Sequence, residues 1–430
     1  MLFILATVVR IIYAYLYFTR YETTLFVDDW DYISYAEQIL AQGIWVPDID
    51  AIVGNGHQVG MGWPMMLSVI FALFGKNFTI VFILNGVLSG LHVVFTYLLA
   101  KLVFNKETAL LSAILCLFYI RFIKFVPFVL KENLIHFGFT FCIYLFFRSL
   151  KEKSYKPLLS FTFVYLLFLH IDERYLIFSP LFAGLYIYHG RFELSATLKR
   201  GAVAASLFLL GLVPTTMRNY QVYKRPIILA FQTSEFTDFL FDERQFKNGR
   251  PSLETPYSSA NFEVYETITE HLLQGEPVDQ YKSTYKYIPL IKQGIREGNV
   301  PHTYNAVEGI FAEVKEFFRI CRFKGGYVAN GYRYMPAWPL LNNIIYIFYF
   351  GVPFVLFFTV LFKKSIWGNS LASALLFIIA LYSFTHIFLI HALVRYRIPI
   401  DGFIFIFAAF TIIENLRHTR FAERFFIRKD

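Results

Sequence analysis

Long apolar stretches recur along almost the whole sequence, and they constrain the fold more than any other feature. A helix needs roughly 20 mostly apolar residues, sometimes only about 17, to cross the hydrocarbon core of a bilayer. Apolar residues make up 57% of the 430 residues, and aromatic residues make up 20%, which is more than a soluble fold of this size can bury. The sequence therefore predicts an all-α polytopic membrane protein with about ten transmembrane helices, at about residues 1–18, 78–100, 107–123, 132–147, 157–171, 174–189, 201–217, 338–362, 369–392 and 399–413.

A further apolar stretch, residues 63–75, is short for a crossing because 13 helical residues reach only about 20 Å. If it does not cross, the loops assigned to the cytoplasm carry more than twice as many Lys and Arg as Asp and Glu. This bias is typical of cytoplasmic loops. We therefore predict a re-entrant or juxtamembrane helix at residues 63–75, although a crossing stays open. The prediction gives a multi-pass protein of the plasma or inner membrane whose N-terminus faces the cytoplasm.

The predicted topology divides the chain into three parts. Residues 1–217 form an N-terminal transmembrane module that includes an outer loop at 19–62. Residues 218–337 have the composition of a soluble, mostly helical segment outside the membrane, with an amphipathic helix predicted at 303–322. Residues 338–430 form the C-terminal transmembrane helices and a basic cytoplasmic tail.

Several kinds of chemistry receive no support from the sequence. Cys116, Cys142 and Cys321 have no metal-ligand spacing, and no P-loop, GxSxG or HExxH motif is present. The net charge of +9 follows from the cytoplasmic loops, so we predict no nucleic-acid partner. No metal site is assigned, and we interpret the four histidines predicted near the outer surface as structural: His57, His170, His386 and His391.

Acidic residues gather on the predicted outer side. Asp28 and Asp29 follow the first helix, Glu132 begins another, and Asp172 and Glu173 occupy a tight turn. A carboxylate at that depth can act as a general base or bind a cation. The alternatives are a solvated acidic loop, a helix-start carboxylate favoured by the helix dipole and a local ion pair in the turn.

Five cations lie at the outer ends of predicted helices, against the inside bias. Arginine is well suited to binding a phosphate through two parallel hydrogen bonds. The alternative for each one is a side chain that extends from the membrane to the interface. The candidates for substrate binding are therefore Lys131, Arg174, Arg218, Arg395 and Arg397. Arg10 differs because it lies in the middle of the first helix, where we expect a carboxylate or a lipid phosphate as its partner.

These residues resemble the motifs of the GT-C membrane glycosyltransferases, in the branch of the dolichyl-phosphate-mannose protein mannosyltransferases and the lipid A aminoarabinose transferases. In residues 26–36, Asp28, Tyr32 and Ala36 keep the spacing of the first outer loop, although Asp29 replaces the usual Glu. Four later segments are similar to family motifs in the expected order: residues 60–75, residues 131–133 with Arg174, residues 214–220 and residues 395–399.

The resemblance implies inverting transfer of a sugar from a polyprenyl-phosphate donor to a lipid, glycan or protein acceptor on the extracytoplasmic side. It implies Asp28 as the base, with Asp29 and Glu132 in support and the five cations near the phosphate. Some relatives use a divalent cation at the acidic pair and others do not, so no cofactor is assigned and a divalent cation stays open. A membrane transporter and a glycan polymerase or ligase are the alternatives. No internal repeat of the kind typical of many transporters is visible.

Overall fold

The computed structural model describes residues 1–21, 27–45, 60–223, 228–229, 314, 317–318, 328–329, 332–333, 344–389 and 394–417. The helices of the first half are α1 Leu2–Tyr21, α2 Val27–Gln42, α3 Gly62–Phe74, α4 Phe78–Val103, α5 Lys106–Phe118, α6 Ile120–Lys124, α7 Glu132–Glu152, α8 Tyr155–Ile171, α9 Phe178–His189 and α10 Leu194–Tyr223. Those of the second half are α11 Val352–Val360, α12 Lys364–Gly368, α13 Ser370–Phe384 and α14 Val394–Arg417.

Other described elements are short. Two 3₁₀ turns, Glu173–Ile177 and Arg191–Glu193, precede α9 and α10, and π-helical turns occur at Ile347–Gly351 and Thr385–Leu389. Val328–Ala329 pairs with Tyr332–Arg333 as a small antiparallel hairpin. This hairpin lies in the segment that we predicted to be mostly helical, most of which is outside the described residues.

Within the described residues, six helices are long and apolar enough to cross a membrane: Leu2–Thr19, Phe78–Val103, Glu132–Glu152, Arg191–Val222, Ser370–Ile387 and Tyr396–Arg417. Three shorter apolar helices are Gly62–Phe74, Tyr155–Ile171 and Ile344–Val360. The all-α polytopic membrane fold is thus confirmed.

Two predicted crossings differ in detail from the sequence-based expectation. The stretch at 107–123 is broken at Tyr119, whose extended backbone separates α5 from α6. The stretch at 174–189 consists of a 3₁₀ turn followed by the 12-residue helix α9. Apolar composition alone does not reveal such breaks, because both sides of the break remain buried or lipid-facing.

Helix α1 packs closely on α4 at two glycines spaced four residues apart. A Cβ atom on Gly90 would lie 2.2 Å from Thr7 Oγ1, and one on Gly86 would lie 2.8 Å from Ile11 Cγ1. Small residues at this spacing allow the backbones of membrane helices to approach each other. Any larger side chain at Gly90 would separate the two helices.

Arg10 lies fully buried on the same face of α1. Its Nε donates to Ser89 Oγ (2.6 Å), Nη1 donates to the carbonyl oxygens of Ala6 and Leu117 (3.1 Å each), and Nη2 donates to that of Cys116 (3.2 Å). Carbonyl groups in the last turn of a helix lack partners within it, and α5 ends at Phe118. The expectation of a carboxylate or lipid phosphate beside Arg10 is therefore wrong: its partners are one hydroxyl and three backbone carbonyls.

Candidate active site

A buried ion-pair cluster lies where the chain enters α7 and leaves α8. Asp172 is fully buried, and its Oδ2 lies 3.3 Å from Lys131 Nζ. Arg174 donates from Nε to Asp172 Oδ1 (2.7 Å) and from Nη2 to Oδ2. The structure therefore brings together two of the five predicted cations on one carboxylate, and we call Lys131, Asp172 and Arg174 the Asp172 cluster. The local ion pair between Asp172 and Arg174, one alternative from the sequence, is present but extends to a residue distant in the chain.

The backbone around Asp172 explains why it takes this position. Asp172 is the N-cap of the 3₁₀ turn Glu173–Ile177, and its Oδ1 accepts a hydrogen bond from the backbone N–H of Arg174 (3.3 Å). Lys131 Nζ also donates to the carbonyl oxygen of Ile171 (3.4 Å), the last residue of α8. The ammonium group of Lys131 and the carboxylate of Asp172 are therefore both located at the C-terminal end of α8.

The pKa values of two neighbouring carboxyl groups in this turn, those of Asp172 and Glu173, are shifted in opposite directions. Burial alone would raise the pKa of Asp172, but Arg174 and Lys131 lower it well below its ordinary value. Burial raises the pKa of Glu173 to about 8, and the negative charge of Asp172 adds to the rise. At neutral pH Asp172 is ionised, whereas Glu173 mostly holds its proton.

The chain leading into α3 packs through two glycines against the end of α8, directly before Asp172. A Cβ atom on Gly60 would lie 2.6 Å from the carbonyl oxygen of Ile171, and one on Gly62 would lie 2.8 Å from that of His170. Trp63 is fully buried, and its indole N–H donates to the carbonyl oxygen of Val129 (2.8 Å). Residues 60–63, 129–131 and 170–174 therefore meet at one place.

Helix α2 packs on α3 and places a carboxylate on its buried face. Asp29, Tyr32, Ile33 and Ala36 are all buried and share one side of the helix, because they are spaced three or four residues apart. The three apolar residues belong to the same core as Trp63, and α3 in turn contacts α8. Asp29 is fully buried on this face.

The remaining acidic candidates are less fully described. Asp28 lies in the first turn of α2, and its side chain is outside the part of the chain that the structure describes. Glu132 is the first residue of α7, directly after Lys131, and is partly buried. The roles of Asp28, Asp29 and Glu132 therefore stay predictions.

Arg218, near the end of α10, forms hydrogen bonds with α2 and with the turn that follows α2. Its Nη2 donates to Tyr35 Oη (2.9 Å), its Nε donates to the carbonyl oxygen of Ile44 (2.9 Å), and its Nη1 donates to Asn219 Oδ1 (3.0 Å). Only 5% of Arg218 is exposed. These contacts fix α2 and the turn that follows it.

A second buried ion pair lies at the start of α14. Arg397 Nε donates to Asp401 Oδ1 (2.8 Å), and Tyr119 Oη donates to Asp401 Oδ2 (2.7 Å). The carbonyl oxygen of Phe317 accepts from Arg397 Nη1 (3.1 Å), which joins the predicted amphipathic segment at 303–322 to the membrane helices. The sequence analysis missed Asp401, although an Arg and an Asp four residues apart in an apolar helix are a recognisable signal for an ion pair.

The start of α14 also contacts the Asp172 cluster. The guanidinium carbon of Arg174 lies 4.8 Å from the ring centroid of Tyr396. The carbonyl oxygen of Tyr396 accepts from Tyr382 Oη (2.7 Å), which lies 3.2 Å from Tyr175 Oη. The segment that carries Arg395 and Arg397 therefore adjoins the cluster, although the side chain of Arg395 is outside the described residues.

The described histidines and cysteines offer no metal centre. His170 is bonded on both ring nitrogens, to the carbonyl oxygen of Leu166 (2.7 Å) and to Thr215 Oγ1 (2.5 Å), as expected for a structural residue. Within the described ranges, no three His, Cys, Asp or Glu side chains gather as metal ligands. His57, His391 and Cys321 lie outside those ranges.

Comparison with known proteins adds a family match and a fold match. Residues 59–215, less than half of the chain, match the family model of dolichyl-phosphate-mannose-protein mannosyltransferase. No curated protein sequence matches the chain. The matched residues run from the approach to α3 into α10, so they contain Lys131, Glu132 and the whole turn around Asp172.

The solved structures with a similar fold include an archaeal oligosaccharyltransferase from Archaeoglobus fulgidus. Its apo form has a TM-score of 0.52 and 14% identity over 97% of this chain and 51% of that chain. Its complex with an inhibitory peptide and a dolichol-phosphate has a TM-score of 0.52 and 12% identity over 100% and 52%. Its complex with Zn and sulfate has a TM-score of 0.54 and 12% identity over 97% and 50%.

The chain therefore has a membrane fold similar to that of the oligosaccharyltransferase structures, and part of it matches the mannosyltransferase family model. The resemblance stated from the sequence motifs is confirmed at this level. The chain spans about half the length of the oligosaccharyltransferase chains that it matches.

Proposed function

We propose that the chain is a glycosyltransferase that transfers a sugar from a polyprenyl-phosphate donor to an acceptor on the extracytoplasmic side of the membrane. The observation that carries the proposal is the convergence of Lys131, Asp172 and Arg174 at the end of α8, next to the approach to α3, the helix on which α2 packs. This convergence lies in the segment that matches the mannosyltransferase family. The dolichol-phosphate bound in a structure of similar fold supports a lipid phosphate as the donor carrier.

In the proposed reaction, the acceptor oxygen attacks the anomeric carbon while the bond from that carbon to the phosphate oxygen breaks. Inversion follows if attack and departure occur on opposite faces of the sugar. Asp28 takes the acceptor proton as general base, and Asp29 and Glu132 orient the acceptor or support the base. The electron pair of the broken bond stays on the lipid phosphate, which leaves with increased negative charge.

In the proposed reaction, Lys131 and Arg174 stabilise that charge. The two cations face one ionised carboxylate, Asp172, so the Asp172 cluster keeps a net positive charge beside the proposed phosphate position. Fixed charges of this kind act strongly where water is excluded. Arg395 and Arg397 are candidates for further phosphate or interface contacts, and the bonds of Arg218 favour a role in positioning α2.

The steps above assign no role to a metal, and a divalent cation at the acidic pair of α2 stays open. Zn is present in one solved complex of similar fold, but the described acids and histidines do not gather as a metal site. Dependence on a divalent cation at Asp28 and Asp29 is tested by adding a chelator and then restoring Mg²⁺ or Mn²⁺. The acceptor is proposed only as a class: a lipid, glycan or protein.

The proposal is tested by mass spectrometry of surface glycans and lipid-linked sugars in cells with and without the gene. We expect one sugar residue to disappear in its absence and to return with the wild-type chain. The Asp28→Asn variant should insert normally but lose about 10²–10⁴ in transfer rate, the usual contribution of a general base.

The matched control is Glu37→Gln, which changes an exposed carboxylate of α2 paired with Lys76 (2.6 Å). This control should restore the sugar fully. Near-normal transfer by Asp28→Asn would remove that residue from the role of base. An unchanged glycan profile together with altered solute uptake would instead favour a transporter.

A further inference from the structure

Glu173 is a buried carboxyl group that the proposed mechanism does not use. Both of its carboxyl oxygens are buried, and neither has a hydrogen-bond partner among the residues that the structure describes. Its neighbour Asp172, in contrast, is bonded to two cations and to a backbone N–H. Of these two adjacent carboxyl groups, Asp172 is therefore fully bonded within the protein, whereas Glu173 has no hydrogen-bond partner among the described residues.

An unbonded buried carboxylate is costly, and a neutral carboxylic acid in the same position costs much less. A neutral acid also differs in what it can bind, because it has one O–H donor, which a carboxylate lacks. A buried donor without a partner is normally satisfied by a ligand or by water. The position of Glu173 directly beside Asp172, Lys131 and Arg174 makes a ligand of that cluster its nearest potential partner.

The groups around Glu173, taken together with its burial, favour its neutral, protonated form. The charged ones are Asp172, Arg174 and Lys131. Glu132 lies next to Lys131, and His170 of α8 is bonded on both nitrogens. Burial and the charge of Asp172 raise the pKa of Glu173 by more than Lys131, the backbone N–H of Glu173 itself and Arg174 together lower it.

We propose that Glu173 is a substrate-binding residue that, as a neutral acid, donates a hydrogen bond to a phosphate oxygen of the ligand held by Lys131 and Arg174. This inference rests on the proposed lipid-phosphate donor. With Glu173 neutral, the four groups carry one net positive charge; with Glu173 ionised, they carry none. Ionisation therefore removes a donor and adds a repulsive charge at the same time.

The test is the pH dependence of binding by the full chain in detergent micelles, with farnesyl phosphate as the probe and farnesol as the uncharged control. The second pKa of a phosphate monoester is about 6, so the charge of farnesyl phosphate changes little between pH 7 and pH 9. A group with a pKa of about 8 goes from mostly neutral to mostly ionised over that interval. Affinity of the wild type should therefore fall about tenfold.

The Glu173→Gln variant should bind about as tightly as wild type at pH 7, because the amide keeps a donor without a titrating proton. It should lose the fall in affinity between pH 7 and pH 9. Glu173→Ala should bind more weakly at pH 7. Glu193→Gln, at an exposed carboxylate paired with Lys153, should keep the wild-type pH profile.

Three results would overturn the inference, and they are distinguishable from one another. If the wild type prefers farnesyl phosphate to farnesol but Glu173→Gln keeps the tenfold fall, Glu173 is not the titrating contact, and the lipid-phosphate donor still stands. If the wild type binds both compounds equally, the donor proposal and this inference both fail. Equal weakening of Glu173→Gln and Glu173→Ala at every pH would assign Glu173 a structural role only.

Discussion

The chain buries arginine side chains in two different ways. Arg10 makes four hydrogen bonds, all to a hydroxyl and to backbone carbonyls, and these join α1, α4 and the end of α5. Arg174 instead shares Asp172 with Lys131, beside a carboxyl group, Glu173, that has no partner in the described residues. The first arrangement is complete within the protein, whereas the second leaves a hydrogen-bonding group for a ligand.

This difference separates a structural charge from a candidate functional one. Both arginines lie in apolar surroundings, so burial does not distinguish them. What distinguishes them is the kind of partner: Arg10 is bonded to neutral groups of the protein, whereas Arg174 shares one carboxylate with a second cation, next to the carboxyl group of Glu173. We therefore expect changes at Arg10 to affect stability alone and changes at the Asp172 cluster to affect ligand binding as well.

The largest effect is expected for Asp172→Asn. The substitution leaves Lys131 and Arg174 buried without their carboxylate, and breaking a buried ion pair by removing one partner costs about 3–5 kcal/mol. It also removes the N-cap carboxylate of the turn before α9. We expect a large fall in thermal stability in detergent and loss of farnesyl phosphate binding in the protein that remains folded.

The control for Asp172→Asn is again Glu193→Gln, because Glu193 belongs to an exposed ion pair with Lys153. That variant should show no measurable change in stability or binding. If Asp172→Asn retained wild-type stability, the charges of Lys131 and Arg174 would have another partner, and the comparison with Arg10 would fail.

A smaller effect is expected for Arg10→Met. Methionine fills a similar volume but removes the donor that Arg10 supplies to the carbonyl oxygen of Leu117, at about 1–3 kcal/mol for an unsatisfied group. The carbonyl oxygen of Cys116 keeps the backbone N–H of Tyr119 as a donor (3.4 Å). The removal of a charge from the membrane interior offsets part of that loss. We expect destabilisation by about 2 kcal/mol, read from thermal unfolding, and unchanged affinity for farnesyl phosphate and unchanged pH dependence.

Weakened phosphate binding by folded Arg10→Met would show that the two arginine sites are coupled. Ser89→Ala offers a milder comparison, because it removes a single partner of Arg10 and leaves the three carbonyl contacts in place. It should lower stability less than Arg10→Met does.

The sequence predicts the membrane class and several residues of the candidate site, because both predictions depend on local patterns. Apolar stretches reveal membrane helices whatever their neighbours are, and motif spacing marks Lys131, Glu132 and Arg174 before any packing is known. Contacts between residues that are distant in the sequence cannot be predicted in this way. The contact of Lys131 with Asp172 depends on how α7 and α8 meet, and the bond of Tyr119 to Asp401 joins residues at distant positions in the chain.

The misassignment of Arg10 has the same physical origin. A charged residue in a membrane helix suggests an opposite charge, since isolated charges are costly there. Two of its four partners are carbonyl oxygens in the last turn of α5, before the break at Tyr119, and nothing in the apolar stretch at 107–123 predicts that break. The missing hydrogen-bond partner of Glu173 likewise becomes visible only when its surroundings are known.

The smallest expected effect is the alkaline destabilisation that Glu173 causes in the absence of ligand. The pKa of Glu173 is about 8 in the folded chain and returns to its ordinary value of about 4.3 in the unfolded chain, so the folded state binds the proton more tightly. Stability contributed in this way is present at low pH and is lost as pH rises through about 8. The pKa of Asp172 is lowered, so its contribution changes only in acid and stays constant in this range.

Between about pH 6 and pH 9, the wild type should therefore lose about 1 kcal/mol more than Glu173→Gln, allowing for partial solvent exposure of the side chain. The measurement is the difference in thermal midpoint between the two proteins at each pH, in the same detergent. The thermal midpoint of Arg10→Met should change with pH as that of the wild type does, because the substitution leaves the turn around Asp172 untouched. A constant difference between wild type and Glu173→Gln across this range would mean that Glu173 is already ionised in the folded chain, and its carboxyl group would then need a donor rather than supply one.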